Sequence, residues 1–279
     1  MAEKKLLITG ANGFVGQQVV RSLGVTESKL YVVLRKGALI DPLLSKRVEK
    51  IIYTDNLFAE SVEWWADQCS GIDTIIHLAW YTKPGKYLNS NENIDCLLGS
   101  YHLAHGAKIA GVSRFVGVGT CAEYDLTYGT LSVDTPLKPE TLYGSTKVAL
   151  YHVLRDWYRG SSIEFAWCRL FYLYGEGEHP DRLVPYVKRQ LLAGERVDLS
   201  NGTQIRDFID VKIAGQMICS IAIGERVGAF NICSGVPKTV REMVLDIADE
   251  YSRPDLLNFG ARDDNLTDLP IILGVPNFI

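Results

Sequence analysis

Three glycines, Gly10, Gly13 and Gly16, punctuate the segment ITGANGFVG near the start of the chain. The apolar stretch KLLIT runs into them, and GFVGQQVVRSLG leaves them with its apolar residues at helical spacing. A strand that ends on glycine and turns at once into a helix opens a β-α-β unit, and such units build parallel sheets. In that setting Gly10 permits the tight turn, Gly13 lets backbone approach a pyrophosphate, and Gly16 allows close helix packing. Phe14 and Val15 lie in the first helical turn, whose free N–H groups and positive end attract phosphate. The expected cofactor-binding set therefore begins with Gly10, Gly13, Phe14, Val15 and Gly16.

The following segments continue the same alternation. LYVVLR (30–35), VEKIIYTD (48–55), DTIIHLAW (73–80), RFVGVGT (114–120) and FAWCRLFYLYG (165–175) are apolar and β-branched or aromatic, hence strands. Helical patterns fall at 94–111 and over the stretch opened by TLYGSTK. Strands this uniformly apolar suit a parallel sheet covered on both faces. The expected fold is α/β, a Rossmann-type doubly wound parallel sheet with a smaller C-terminal substrate-binding lobe. The expected domains are a dinucleotide-binding unit over 1–170, with a returning segment at about 205–233, and a substrate-binding lobe from 171–204 and 234–279. Within that lobe, Thr239 and Glu242 have capping-box spacing at the head of a helix.

With 47% hydrophobic residues the chain can bury a sizeable core, and its net charge of −4 gives no basic footprint for nucleic acid. No apolar run approaches the length of a membrane span, and KKLLITG reads as a strand rather than a targeting segment. The six cysteines are dispersed, with no C-x-x-C pair, which suits reduced thiols in the cytoplasm. The five histidines form no metal-binding spacing, so no metal is expected.

The second strand ends in Arg35 and Lys36. An unphosphorylated dinucleotide usually meets an acid there; two cations favour a 2′-phosphate. NADP is the expected cofactor, with NAD as the alternative.

Tyr143 and Lys147 stand one helical turn apart and share a face. Thr120 ends an apolar strand, and ligands of parallel sheets sit beyond the carboxyl ends of strands. A phenol titrates near ~10 in water, and a nearby ammonium lowers that value. Tyr143 is thus the expected proton donor to a carbonyl oxygen while hydride arrives from nicotinamide. Thr120 would bond the same oxygen, and Lys147 would serve both the phenol and the cofactor ribose.

Taken together, TGANGFVG, HLAW, GTCAEY, YGSTK and RDFIDV resemble the extended short-chain dehydrogenase/reductases of the NAD(P)-dependent sugar-nucleotide epimerase/dehydratase group. The resemblance spans nearly the whole chain. It implies that Asp55 and Asn56 approach the adenine, that Leu78, Ala79 and Trp80 line the cofactor path, and that Tyr81 and Thr120 meet the substrate. It also implies that Arg206 pairs with the substrate diphosphate, with Arg182 and Arg262 as further candidates for that anion. The substrate would be a nucleotide-diphosphate sugar, and the assembly a homodimer through the helices at 94–111 and 143–157.

The sequence also departs from that family. Cys96 and Tyr172 stand where Asn is common. The family's 4,6-dehydratases follow the catalytic Thr with Asp-Glu, an acid and base for eliminating water; here Cys121 and Ala122 follow Thr120. Glu123, one position further, should point elsewhere. That disfavours dehydration. The reading is a reductase of a nucleotide-linked 4-keto-6-deoxyhexose. The alternatives are a nucleotide-sugar 4-epimerase with tightly held NAD and a non-catalytic NADP-binding sensor.

Overall fold

The computed structural model describes residues 3–39, 41–265 and 267–277. Strands β1 (Lys5–Thr9), β2 (Lys29–Arg35), β3 (Val48–Thr54), β4 (Thr74–His77) and β5 (Arg114–Thr120) come first, interleaved with α1 (Phe14–Leu23), α2 (Pro42–Ser45), α3 (Val62–Gln68) and α4 (Glu92–Ile109). Next come β6 (Thr130–Leu131), α5 (Leu142–Tyr158), β7 (Glu164–Leu170), β8 (Tyr172–Tyr174), α6 (Leu183–Ala193), β9 (Val197–Leu199) and β10 (Ile205–Asp210). The chain ends through α7 (Val211–Ile223), β11 (Gly228–Ile232), β12 (Pro237–Thr239), α8 (Val240–Glu250), β13 (Leu257–Phe259) and β14 (Ile271–Gly274).

Seven parallel strands form the main sheet in the order β11-β7-β5-β4-β1-β2-β3. Alternate side chains leave opposite faces of a strand. Leu6 and Ile8 of β1 therefore join a core with Val19, Val20 and Leu23 of α1 and Ala214 and Ile218 of α7. Leu7, between them, faces the other layer with Trp65 of α3, Leu103 of α4 and Leu150 and Leu154 of α5. The strand order reverses between β1 and β4, which opens a crevice at their carboxyl ends, where Gly10 and Leu78 begin.

A second sheet, β12-β10-β14-β6 with β8 beside β10, supports the small lobe. Its outer core joins Val187 and Leu191 of α6 to Val244 and Ile247 of α8. Two charged residues of β10 are buried. Asp207 accepts from the backbone N–H of Ser234 (2.7 Å), Gly235 (2.9 Å) and Gly274 (3.1 Å), tying the turn after β11 to β14.

The elements differ from the sequence reading at three places. The strand expected over 165–175 is two strands in two sheets: the Phe171 N–H reaches across to the Ile232 carbonyl (3.2 Å), and β8 then joins β10. The strand expected to run to Trp80 ends at His77, leaving Leu78, Ala79 and Trp80 as crevice wall. Helix α3 spans residues that the expected strands leave unassigned between 55 and 73. Ser61 starts it by accepting from the Trp64 N–H at 3.2 Å. The Thr239–Glu242 capping box is present as expected.

Candidate active site

The glycine turn is built as a close fit of backbone on backbone. Gly10 has φ +73°, and a Cβ there would stand 2.7 Å from the Ala79 nitrogen, so the turn after β1 presses directly on the wall after β4. A Cβ on Gly16 would meet the Gly10 carbonyl oxygen at 2.0 Å; its smallness seats α1 on the turn itself. The first turn of α1 has no acidic residue, and its N-cap, Gly13, makes no side-chain capping bond. An uncapped helix start with bare N–H groups at a topological switch point fits a dinucleotide pyrophosphate.

The crevice wall is braced by a residue that the sequence reading passed over, His77. The Ser100 hydroxyl donates to the Cys96 carbonyl (2.6 Å), so it must accept from His77 Nε2–H (2.7 Å). His77 Nδ1 is then an acceptor, and the Thr9 hydroxyl donates to it at 2.7 Å. Burial first and then the charge of Lys147 push the imidazole down to about 3, so it stays neutral. The chain of bonds locks the ends of β1 and β4 to α4.

Thr120, Tyr143 and Lys147 meet at the next strand end. Thr141 caps α5 by accepting from the Gly144 N–H at 3.1 Å, which places Tyr143 in the first turn. The phenol packs edge-on against Tyr87, with ring centres 5.0 Å apart. Burial and Tyr87 raise its pKa above the usual tyrosine value; a hydrogen bond with the Thr120 side chain opposes that rise. Lys147 is buried. Its ammonium donates to the Val118 carbonyl at 2.6 Å and lies 3.6 Å from the centre of the Trp80 ring. Desolvation lowers it to about 7, against the Glu123 charge. The expected lowering of the phenol by a neighbouring ammonium is not what this arrangement supplies: the Lys147 head is turned to the strand and the indole. Trp80 is itself held, its Nε1 donating to buried Asn93 at 2.8 Å.

The other candidate residues fall into separate groups. Arg35 and Lys36 are exposed at the end of β2, and Lys36 pairs with Asp55 at 2.6 Å. Asn56 caps a 3₁₀ turn, accepting from the Phe58 N–H at 3.1 Å. Phe14 and Val15 are half-buried. The Tyr81 backbone lies beside the Cys96 thiol and opposes its rise, though burial still pushes that thiol up to about 11.

The three arginines do not converge. Arg206 is 3% exposed and pairs with Asp268, so its guanidinium is already committed within the chain. Arg182 is exposed at the N-cap of α6. Arg262 bonds the Tyr186 hydroxyl at 3.0 Å and, with Tyr186, Arg189, Gln204 and Phe259, lines a small-lobe pocket of about 430 Å³ that excludes Arg206. Arg241 stacks on the Phe259 ring beside it, 4.0 Å from its centre.

The turn that follows Thr120 is packed inward. Cys121 is buried and its thiol is pushed up to about 12, chiefly by desolvation. Glu123 does turn away from the crevice, accepting from Arg169 Nε at 2.7 Å. Neither offers a carboxylate to the crevice.

The model of the family described as "NAD dependent epimerase/dehydratase family" matches residues 6–233. The dTDP-6-deoxy-L-talose 4-dehydrogenase (NAD(+)) of Aggregatibacter actinomycetemcomitans is 27% identical over 92% of this chain and 95% of its own length. The structure of MoeE5 in complex with UDP-glucuronic acid and NAD is 25% identical and matches 98% of this chain and 90% of its own, with TM-score 0.78. The dTDP-glucose 4,6-dehydratase DesIV of Streptomyces venezuelae, with NAD and TYD bound, shares the fold at TM-score 0.79 and 22% identity over 98% of this chain and 88% of its own. With the glycine turn at the switch point and the Thr–Tyr–Lys group one strand away, the chain belongs to the NAD-dependent epimerase/dehydratase family, enzymes of the extended short-chain dehydrogenase/reductase type that act on nucleotide sugars.

Proposed function

We propose that the chain reduces the C4 keto group of a nucleotide-linked 4-keto-6-deoxyhexose, and oxidises the alcohol in reverse. The observation that carries this reading is the crevice around Tyr143: the Thr120 side chain acts on the Tyr143 phenol there, while Cys121 and Ala122 stand where elimination needs an acid and a base. Hydride transfer requires the first pair and not the second. The relative acting at C4 of dTDP-6-deoxy-L-talose, aligned over nearly both full lengths, supports the same chemistry.

When bound, the cofactor supplies or accepts the hydride. Tyr143 gives the proton to the carbonyl oxygen, and the Thr120 hydroxyl holds that oxygen. Lys147 would hold the cofactor ribose, and the start of α1 its pyrophosphate. The crystallised relatives carry NAD. With Lys36 committed to Asp55, Arg35 is the residue that would admit a 2′-phosphate and so NADPH. The small-lobe pocket, with Phe259 and Tyr186 as stacking faces and Arg262 and Arg189 as cations, suits the nucleotide of the substrate. Ile94, Leu98, Tyr101 and Ile109 of α4 and Val153 of α5 are exposed, an apolar face suited to a second copy of the chain. The six buried thiols suit a cytoplasmic setting.

The test is nicotinamide absorbance after mixing NADH or NADPH with dTDP- and UDP-linked 4-keto-6-deoxyhexoses. Stoichiometric oxidation is expected. Interconversion of 4-hydroxy sugars with no net oxidation would replace the reading with a 4-epimerase. Tight cofactor binding without either reaction would leave a sensor.

A further inference from the structure

Beneath the Thr120 turn lies a charged cluster with no part in the proton transfer just described. Glu123 is 0% exposed and Arg169 is 1% exposed. Arg169 Nε donates to Glu123 Oε2 at 2.7 Å, Trp167 Nε1 donates to both carboxylate oxygens at 3.1 Å, and the backbone N–H of Thr120 donates to Oε1 at 2.9 Å. Arg169 Nη1 also donates to the Tyr124 hydroxyl (3.0 Å), which donates to Asn231 (2.6 Å). Room for the cluster depends on Gly119: a Cβ there would lie 2.1 Å from Glu123 Oε1 and 2.3 Å from Trp167 Nε1. Desolvating two charges is costly, and apolar side chains of the same volume would pack as well. Glu123 also closes a capping box with Thr120, so the cluster is bonded to the backbone of the residue beside Tyr143.

We propose that Glu123 and Arg169 are positioning residues for the proton chemistry: Glu123 fixes the Thr120 amide, and so the aim of its hydroxyl at Tyr143, and keeps a balanced negative charge beneath Tyr143 and Lys147. The proposal rests on the roles given above to those three residues. Groups facing Lys147 are the Trp80 and Trp167 rings, the Val118 carbonyl, His77, Cys96 and Glu123. Those facing Tyr143 are Tyr87, Thr120, Cys121 and Glu123. The carboxylate favours the ammonium of Lys147 and opposes ionisation of Tyr143. Removing it moves both titrations to lower pH; removing Arg169 leaves it unbalanced and moves both to higher pH.

The Lys147 titration is read by NMR on lysine-labelled protein, its resonance assigned with Lys147→Arg. This needs no substrate, so a chain that turns over no sugar sinks the preceding reading and leaves this one to be decided. Glu123→Gln is expected to shift the midpoint down, and Arg169→Met up, each by roughly half a unit or more. Should either single variant fail to fold, two double variants decide. Glu123→Gln with Arg169→Met keeps an acceptor for the Thr120 N–H and should keep kcat within roughly tenfold of the parent. Glu123→Leu with Arg169→Met removes that acceptor and should lose at least a further tenfold, with KM unchanged. Folded single variants whose Lys147 midpoint does not move, or double variants of equal kcat, overturn the proposal and leave the pair as packing.

Discussion

The Lys147 ammonium lies 3.6 Å from the centre of the Trp80 ring, on the side chain that directly follows the Ala79 wall of the crevice. A desolvated cation over an indole face gains up to about 2 kcal/mol, and here it compensates part of the burial that drives Lys147 down. Trp80 therefore links the crevice wall after β4 to α5.

Replacement of Trp80 separates its two contacts. Trp80→Phe keeps a ring beneath Lys147 and loses the bond to Asn93, a cost of about 1 kcal/mol. Trp80→Ala loses both and leaves a void between β4 and α5, at about 3 kcal/mol. Urea unfolding should rank the variants in that order, and equal midpoints for the two would deny the cation–ring contact any energetic weight.

The proton-transfer group should show a division between chemistry and binding. Tyr143→Phe is expected to lower kcat by roughly 10²- to 10⁴-fold while leaving NAD(P)H affinity within about twofold. Thr120→Val should lower kcat by about tenfold. Fluorescence titration of the cofactor alongside steady-state kinetics reads both quantities. Turnover undiminished in Tyr143→Phe is the result that defeats the assignment.

How far these features could be read from residues alone depended on their range. Gly10, Gly16, Thr120 and Tyr143 act through local rules: a turn, a strand end, the first turn of a helix. The strands of a sheet covered on both faces followed from apolar runs, as Leu6, Leu7 and Ile8 illustrate by facing both layers. Contacts between distant segments were not legible. Nothing in RDF foretold that Asp268, far along the chain, would take Arg206, or that Asp207 would pin Ser234 and Gly274. The basic pair at the end of β2 gave no sign that Lys36 would be bound to Asp55. Glu123 was correctly expected to turn away from the crevice, yet its partner Arg169 reads as an ordinary strand residue. His77 sits inside HLAW, but only the packing of Ser100 from α4 shows why an imidazole stands there.

The glycine turn should fail in a graded way. In Gly16→Ala the new methyl meets the Gly10 carbonyl oxygen at 2.0 Å, so α1 must retreat from the turn. Cofactor affinity should fall at least tenfold, because the helix start no longer meets the pyrophosphate. In Gly13→Ala the nearest atom is the Gly10 oxygen at 3.2 Å, and the loss should be smaller. Calorimetric titration with NAD and NADP on both variants checks the ranking.

Lys147 also imposes a pH dependence on stability, with a sign that can be worked out. Its folded-state value of about 7 lies below the ordinary 10.5. Between those two values the unfolded chain binds the proton and the folded one does not, so stability rises with pH across that window. Below about pH 7 the buried ammonium burdens the fold by a constant amount, on the order of a few kcal/mol. Lys147→Met carries no such group. The difference in unfolding free energy between the parent and Lys147→Met should therefore change in favour of the parent as pH rises from 7 to 10, and stay flat from 5 to 6. A difference that stays constant from pH 7 to 10 would show that the amine keeps its ordinary titration, and with it that the Val118 carbonyl and the Trp80 ring fully replace the water it has lost.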